Sequence, residues 1–276
     1  MQQIRYELLD DGAIASIVLS RPEKRNAQGR RMTAELDEAF TAAARDDRVK
    51  VIVLSGDGPH FCSGHDLSDT EEFDYPRRFT EGGFDRFGAQ GLVAFESEMY
   101  LSMCRRWHDI PKPTIAAVHG RVIAGGLMLM WVCDLIVAGS DATFSDPTVA
   151  FGVNGVEWFC HPWELGIRKA KELLFTGGEI TAEEASQLGM VNQVAPPGEH
   201  LERALAMARS IAERPAFALR LAKMAVNQAL DAQGFHTAQQ AAFGLQHLGH
   251  SQVNALRLRK AAAAGAGGER DTDAPR

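Results

Sequence analysis

The stretch TIAAVHGRVIAGGLMLMWVCDLIVA, residues Thr114–Ala138, decides the fold class of this chain. It begins with an apolar run over Thr114–Val118 and ends with another over Leu135–Ala138, and both predict β-strands. The apolar segment from Gly126 to about Cys133 predicts a short helix between them. Strands that alternate with helices and are continuously apolar indicate an α/β core covered on both faces.

A pair of glycines, Gly125 and Gly126, stands at the start of that predicted helix. Each glycine weakens a helix by roughly 1 kcal/mol relative to alanine. Something should compensate for this cost. Either the glycines allow close packing, or they allow the backbone to approach a ligand.

The alternation of strands and helices extends towards the N-terminus. Ile14–Leu19 and Val49–Leu54 are predicted strands, and Arg31–Arg45 carries apolar residues at helical spacing. After about Thr181 the chain becomes mostly helical. The predicted helices of this part are Glu183–Leu188, Glu202–Ala212, Ala216–Ala232 and Thr237–Leu256.

These patterns divide the chain into a core over residues 1–196, a helical region over residues 197–260 and a tail over residues 261–276. The tail is composed of small and polar residues, so we expect it to be disordered. Asp69–Gly91 mixes charges, glycines and aromatic residues without a period. We expect that segment to be a mobile loop near a site.

Composition and charge exclude several classes of protein. The 276 residues include 29 Lys and Arg against 36 Asp and Glu, a net charge of −7 that argues against non-specific nucleic-acid binding. The cysteines form no CxxC pair and no regular framework, so we expect a reduced, cytoplasmic protein without a zinc site. The N-terminus shows no signal pattern, and Asp134 interrupts the longest apolar run before it reaches the ~20 residues of a membrane span. Without a G-x-G-x-x-G fingerprint or a P-loop, we expect neither a redox cofactor nor a metal.

A second glycine turn lies in HFCSGHDL, His60–Leu67, which follows the predicted strand ending at Leu54. Gly64 permits a backbone conformation that turns the next peptide N–H outward. If this turn and the paired glycines converge, the N–H groups of His65 and Gly125 can bind one carbonyl oxygen and stabilise negative charge on it. The alternative is that each glycine is only structural.

Several segments, taken in order, resemble the enoyl-CoA hydratase/isomerase, or crotonase, family. The resemblance covers roughly residues 4–256 and rests on RPEKRNA (Arg21–Ala27), FCSGHDL (Phe61–Leu67), PKPTIAAVHGRVIAGG (Pro111–Gly126), CDLIVA (Cys133–Ala138), ATFSDP (Ala142–Pro147) and LLFTGGEITAEEASQLGMVNQVAP (Leu173–Pro196). It implies a spiral of ββα units with a helical C-terminal trimerisation region, assembled as a homotrimer or a dimer of trimers. It also implies an acyl-CoA thioester as substrate, with no other cofactor, and its enolate held by the N–H groups of His65 and Gly125.

The resemblance also implies a coenzyme A site. It falls on the turn that contains Lys24, Arg25 and Ala27, and on the stretch His65, Asp66 and Leu67. The guanidinium of Arg25 suits phosphate oxygens. For the charged side chains among these, a run of solvated surface charges is the alternative. Asp66 is expected to cap the following turn.

The two glutamates that serve the hydratases of this family as acid and base are missing. Their positions read Met128, soon after the paired glycines, and Thr148, after ATFSDP. A thioether has no proton to exchange, and a threonine hydroxyl is a poor acid or base at neutral pH. Two-glutamate hydration is therefore in doubt, and both residues are expected to line the substrate pocket instead.

Other residues are candidates to replace these glutamates. Glu157 is the first, because a carboxyl between Val156 and Trp158 can be desolvated and its pKa raised; a surface residue at a helix start is the alternative. The imidazole of His65 is the second. Asp146 is expected to fix a turn, and His161 to cap or pack.

We therefore expect an acyl-CoA enzyme of hydratase or isomerase type in which Glu157 moves the proton. A single carboxylate fits double-bond isomerisation, or another enolate reaction with one acid, better than rapid hydration. The alternatives are a decarboxylase or hydrolase assisted by His65, and a non-catalytic acyl-CoA-binding protein.

Overall fold

A computed structural model describes residues 1–71 and 83–267 of the chain. Its strands are β1 Ile4–Leu9, β2 Ile14–Leu19, β3 Val51–Gly56, β4 Thr114–Val118, β5 Arg121–Ile123, β6 Leu135–Gly139, β7 Thr143–Ser145, β8 Glu179–Thr181 and β9 Gln193–Ala195. Its α-helices are α1 Arg30–Arg45, α2 Ala89–Glu96, α3 Met103–His108, α4 Gly125–Trp131, α5 His161–Thr176, α6 Ala182–Gln187, α7 His200–Ala212, α8 Ala216–Ala232 and α9 Phe235–Gly267. A π-helical segment, Ser97–Ser102, joins α2 to α3.

Six strands form one sheet in the order β1-β2-β3-β4-β6-β9, in which only the β1–β2 pair is antiparallel. One face of the sheet packs on the larger part of the core, which includes Phe40 of α1 and Leu129 of α4. The other face packs on Ala204 and Ala208 of α7. Both faces are covered, which confirms the predicted α/β core and explains why its central strands are mostly apolar.

The predicted strands agree closely with the observed ones. β2 and β4 have the predicted bounds, and β6 is one residue longer than predicted. β3 begins at Val51 instead of Val49, because the N–H of Val49 closes a turn by donating to the carbonyl of Asp46 at 3.0 Å. β5, β7 and β8 form a second sheet of three-residue strands, too short for a pattern to reveal.

The helical C-terminal region is also confirmed, but its last helix is longer than predicted. α9 runs from Phe235 to Gly267, so residues 261–267 are helical where we expected a disordered tail. Four consecutive alanines after Lys260 account for the difference, because alanine has the highest helix propensity. Residues 268–276 of that tail, and residues 72–82 of the loop expected over Asp69–Gly91, lie outside the described residues. In the described part of the chain, no helix is long and apolar enough to cross a membrane.

The sheet brings the two glycine turns to one edge. β3 and β4 are parallel neighbours, so the segments that follow them leave the sheet on the same side. The N–H of Phe61 donates to the carbonyl of His119 at 2.9 Å, and the N–H of Ile123 donates to the carbonyl of Cys62 at 3.0 Å. These bonds hold the turn after β3 against the segment that leads into α4.

Candidate active site

The two glycine turns are in direct contact. A side-chain carbon on Gly125 would lie 2.9 Å from Cε1 of His65, and one on Gly126 would lie 2.6 Å from the carbonyl oxygen of Cys62. Gly64 adopts a φ of +94°, which glycine tolerates and other residues rarely adopt. Close packing thus favours glycine at positions 125 and 126, and the backbone conformation favours it at position 64.

The backbone around these glycines leaves two amide groups available. Gln28 pairs with the second turn on either side of His65: its N–H donates to Gly64 at 2.8 Å, and its carbonyl accepts from Asp66 at 2.9 Å. The N–H of His65 points away from this pairing. Among the residues that the structure describes, neither this N–H nor that of Gly125 donates to a protein acceptor. Two free donors on adjoining turns can bind a single carbonyl oxygen.

The residue before Gly125 holds an unusual conformation. Ala124 has a φ of 46° and a ψ of −109°, outside the regions that non-glycine residues favour. Its N–H donates to the carbonyl of Ser145 at 2.9 Å, which fixes the turn from a neighbouring strand. Strain of this kind costs of order 1–3 kcal/mol and is common at functional sites.

The imidazole of His65 lies beside these amides and contacts the predicted carboxylate. Its Nε2 is 3.0 Å from Oε2 of Glu157, and its ring stacks on Tyr100 with a centroid distance of 4.1 Å. Nδ1, on the side of the ring towards Gly125, is buried and has no hydrogen-bond partner among the described residues. The structure therefore brings His65, Gly125 and Glu157 together, with one imidazole nitrogen held and the other free.

Glu157 is enclosed and fully engaged. It is 4% exposed, and its second oxygen, Oε1, accepts a hydrogen bond of 2.8 Å from Nε2 of Gln246 in α9. Burial alone would raise the pKa of Glu157. The charge and hydrogen bond of His65, together with the bond from Gln246, outweigh burial and hold that pKa below its ordinary value. Glu157 is thus an ionised carboxylate at neutral pH, and not the surface residue that was the alternative.

Met128 and Thr148 occupy different surroundings. Met128 is 1% exposed and belongs to the main core. The N–H of Thr148 donates to Oδ1 of Asp146 at 3.0 Å. Asp146 therefore holds a turn, as expected. The other oxygen of Asp146 lies 2.8 Å from Nε2 of His161, and this pair is fully buried. Burial would raise the pKa of Asp146, but these bonds lower it.

The turn expected to bind coenzyme A is held by a buried asparagine. The side chain of Asn26 accepts from the N–H of Arg21 at 2.9 Å and donates to the carbonyls of Asp57 and His60, while Arg25 and Asn26 both adopt a φ of 53°. Such left-handed conformations need a scaffold of this kind. Lys24 and Arg25 are exposed, and Ala27 is half-buried between them and the core.

A cationic cavity opens beside that turn. It has a volume of about 310 Å³ and is lined by Arg25, His60, Ser63, Arg121 and Ile123. Burial and then the positive charges of Arg121 and Arg25 lower the pKa of His60. Such a cavity suits an anionic group.

The remaining predicted binding residues lie close to this turn. Asp66 accepts from Arg21 at 2.7 Å and from the N–H of Ser68 at 3.0 Å, so it caps the following turn as expected. Leu67 is 88% exposed. Within residues 1–71 and 83–267, no group of three or more His, Cys, Asp or Glu side chains could hold a metal ion.

The sequence did not reveal the residues that support the dyad of His65 and Glu157. Tyr100 comes from the π-helical segment, and Gln246 comes from α9, 89 positions after Glu157. Neither residue belongs to a motif. Only the tertiary packing of these helices places them at the site.

Comparison with known proteins agrees with the fold. The model of the enoyl-CoA hydratase/isomerase family matches residues 10–255. A putative enoyl-CoA hydratase of Mycobacterium tuberculosis is 44% identical over 258 residues, which are 91% of this chain and 81% of that protein. A second relative, a putative enoyl-CoA hydratase of Thermus thermophilus, is 36% identical over 78% of this chain and 81% of its own length.

Solved structures of the same group have the same fold. A probable enoyl-CoA hydratase of Mycobacterium thermoresistibile superimposes with a TM-score of 0.84 at 47% identity, covering 93% of this chain and 100% of the other. An enoyl-CoA hydratase/isomerase of Xanthobacter autotrophicus Py2 superimposes with a TM-score of 0.79 at 30% identity, covering 99% of both chains. With its α/β core, its helical C-terminal region and these similarities, the chain belongs to the enoyl-CoA hydratase/isomerase, or crotonase, family.

Proposed function

We propose that this protein is an acyl-CoA enzyme that binds the thioester oxygen of its substrate at the N–H groups of His65 and Gly125. Negative charge develops on that oxygen when a proton leaves the acyl chain and an enolate forms. Each such donor contributes roughly 3 kcal/mol to stabilising the charged state. The two free amides on adjoining turns support this assignment.

In this proposal the proton is moved by the dyad of His65 and Glu157. The observation that carries it is the free Nδ1 of His65 beside Gly125, on a ring whose Nε2 is held by Glu157. Both oxygens of Glu157 accept hydrogen bonds, so the carboxylate is held in place and orients the imidazole. The proton-transfer role expected of Glu157 is therefore divided: the imidazole exchanges the proton, and the carboxylate positions the imidazole.

The reaction that fits one such group is double-bond isomerisation of an enoyl-CoA. Nδ1 takes a proton from one carbon of the acyl chain, the electron pair passes into the thioester as an enolate, and the same proton returns to the carbon two positions along. The reaction balances without a co-reactant. Met128 and Thr148 add no second acid for the concerted addition of water, although slow hydration through the same imidazole remains compatible with the site.

The coenzyme A portion would extend from these amides to the cationic cavity. We propose that Arg25 and Arg121 bind its phosphate groups and that the backbone around Ala27 and Leu67 contacts the rest of the coenzyme A. The positive charges and the volume of the cavity support this placement.

We also propose that the protein assembles as a homotrimer or a dimer of trimers. In support, α8 has no buried residue and exposes Phe217 and Val226, at 70% and 69%. The four cysteines are buried and unpaired, which suits a reducing compartment such as the cytoplasm. Light scattering of the purified protein would give the mass of the assembly.

Turnover of a panel of acyl-CoA thioesters tests the proposed function. The panel contains 2-enoyl, 3-enoyl, saturated and malonyl-type thioesters, and the product is identified by mass spectrometry. We expect conversion of 3-enoyl to 2-enoyl thioesters by the wild type and its loss in His65→Gln. His236→Gln is the matched control, because that histidine pairs with Asp231 outside the site. Release of carbon dioxide or of free coenzyme A would favour a decarboxylase or hydrolase, and tight binding without conversion would favour a non-catalytic binder.

A further inference from the structure

A second buried carboxyl group lies next to the dyad. Glu96 ends α2 and is 6% exposed. The π-helical segment that follows it carries Tyr100, which stacks on His65. π-Helical turns are rare and occur frequently at functional sites. Glu96 and the partner of the catalytic imidazole thus come from the same short stretch of chain.

Helix α9 connects this carboxyl group to Glu157. Nε2 of His247 and Nε2 of His250 each lie 3.5 Å from an oxygen of Glu96. The residue before His247, Gln246, donates to Glu157 at 2.8 Å. One face of α9 therefore contacts both carboxyl groups of the site.

The contacts of Glu96 are incomplete for an ionised group. Within the described residues, its Oε2 has no hydrogen-bond partner, and neither ring nitrogen of His247 has one. Its ion-pair partners in that part of the chain are the two histidines alone. A buried carboxylate without a firm partner is costly, whereas a protonated carboxyl is not.

The titratable groups that face Glu96 favour its neutral form. Burial and then the negative charge of Glu157 raise the pKa of Glu96 to about 9. Burial also lowers the pKa of His247 and that of His250, so neither supplies a permanent positive charge. The titratable groups around this position are Glu157 from the loop before α5, Tyr100 from the π-helical segment, His247 and His250 from α9, and His65 behind Glu157.

We infer that Glu96 is a positioning residue of the site: it holds a proton, so that Glu157 is the only negatively charged carboxylate beside His65. This inference rests on the proposed function. Two carboxyl groups in one buried cluster carry a single negative charge, and the dyad needs that charge on Glu157. When Glu96 loses its proton, a second negative charge lies near the enolate and opposes its formation.

The pH dependence of turnover in Glu96→Gln tests this role, because glutamine keeps the size and neutrality of a protonated glutamate. With Glu96 titrating near pH 9, we expect kcat of the wild type to be about tenfold lower at pH 10 than at pH 8. Glu96→Gln should match the wild type at pH 7 and lack this decline. A variant whose profile coincides with that of the wild type up to pH 10, or one that does not fold, would overturn the inference.

Thermal unfolding gives a second readout that needs no turnover. A group whose pKa is raised by folding contributes stability that is lost as pH rises. The melting temperature of Glu96→Gln should therefore rise relative to that of the wild type continuously from pH 5 to about pH 9. Glu164→Gln is the matched control. Burial raises the pKa of that carboxyl to about 7, so the melting temperature of this variant relative to the wild type should stop rising near pH 7. If no thioester is converted, the proposed function fails but this comparison still decides whether Glu96 is protonated. A constant difference between Glu96→Gln and the wild type above pH 7 would show that it is not.

Discussion

Nε2 of His65 lies 3.0 Å from Oε2 of Glu157, although the two residues are 92 positions apart in the chain. The imidazole comes from the turn after β3, and the carboxylate comes from the loop before α5. Neither residue could transfer a proton alone in the way the site requires, because Glu157 is enclosed and a free imidazole would not be oriented. Their contact turns two separate candidates into one functional unit.

Glu157→Gln tests this unit directly. Glutamine keeps the hydrogen-bonding shape of glutamate but removes the charge that orients and stabilises the imidazole. We expect kcat to fall about 10²-fold with little change in KM, since general acid–base groups contribute 10²–10⁴-fold. Because the two residues act as a unit, the double variant His65→Gln/Glu157→Gln should be no slower than His65→Gln alone. If the losses in kcat of the two single variants multiplied in the double variant, the two residues would act independently.

Gly125→Ala tests the convergence of the turns. The added carbon would meet Cε1 of His65 at 2.9 Å and Nε2 of Gln28 at 3.0 Å, so the amide and the imidazole must move apart. Misplacing one donor to the developing charge should lower kcat by about 10²–10³-fold. The measurement is kcat together with the melting temperature.

Gly244→Ala in α9 is the matched control for that change, because nothing lies within 4 Å of a carbon added there. Alanine in a helix interior should raise stability by up to about 1 kcal/mol and leave kcat unchanged. If both glycine variants lost activity equally, Gly125 would have no specific role in catalysis.

Asp146→Asn tests the buried pair beside Thr148. Asparagine removes the charge of a carboxylate that makes buried hydrogen bonds, and such bonds contribute about 1.5–3 kcal/mol, so urea unfolding at pH 7 should show a variant that is less stable by about this amount. The pKa of Asp146 is lowered from 3.8 by folding, and its contribution is therefore present above that pH and lost as pH falls below it. The difference in free energy of unfolding between the wild type and Asp146→Asn should therefore become smaller below about pH 4.

The exposed Asp47 provides the control for this pH dependence. Asp47→Asn should unfold like the wild type at pH 7 and at pH 3. A gap for Asp146→Asn that stays constant with pH would mean that the carboxyl is not ionised in the folded protein.

The local parts of the site could be predicted from the sequence, and the long-range parts could not. The turns at Gly64 and Gly125 could be predicted, because a turn that requires glycine is encoded within a few residues. That the two turns meet was only a condition in the sequence analysis, and the parallel pairing of β3 with β4 is what brings them together. The places of Gln246 and Glu96 were not predictable: Gln246 reaches Glu157 from α9, and Glu96 of α2 contacts His247 and His250 of the same helix. No local pattern encodes the packing of α9 on α2. The same limit applies to His161, which was expected to cap or pack. Its buried ring does pack on Trp131 and Phe159, but its hydrogen bond with Asp146 was not predicted.

Arg25→Ala tests the binding of coenzyme A. In the proposed pose, its guanidinium contacts a phosphate group at the mouth of the cationic cavity, and a charge-assisted bond of this kind at an exposed position contributes about 1.5 kcal/mol. KM for an acyl-CoA substrate should therefore rise about tenfold, with kcat unchanged. The effect should shrink at high salt, since mobile ions screen an exposed charge.

A truncated substrate separates this role of Arg25 from a role in folding. An acyl-pantetheine thioester keeps the reacting end of the substrate but lacks the nucleotide and its phosphates, so Arg25→Ala and the wild type should convert it equally well. Arg214→Ala, which removes an exposed arginine away from the cavity, should change KM for neither substrate. If Arg25→Ala impaired the truncated thioester as strongly as the complete one, the arginine would act by holding the left-handed turn at Asn26 and not by binding phosphate.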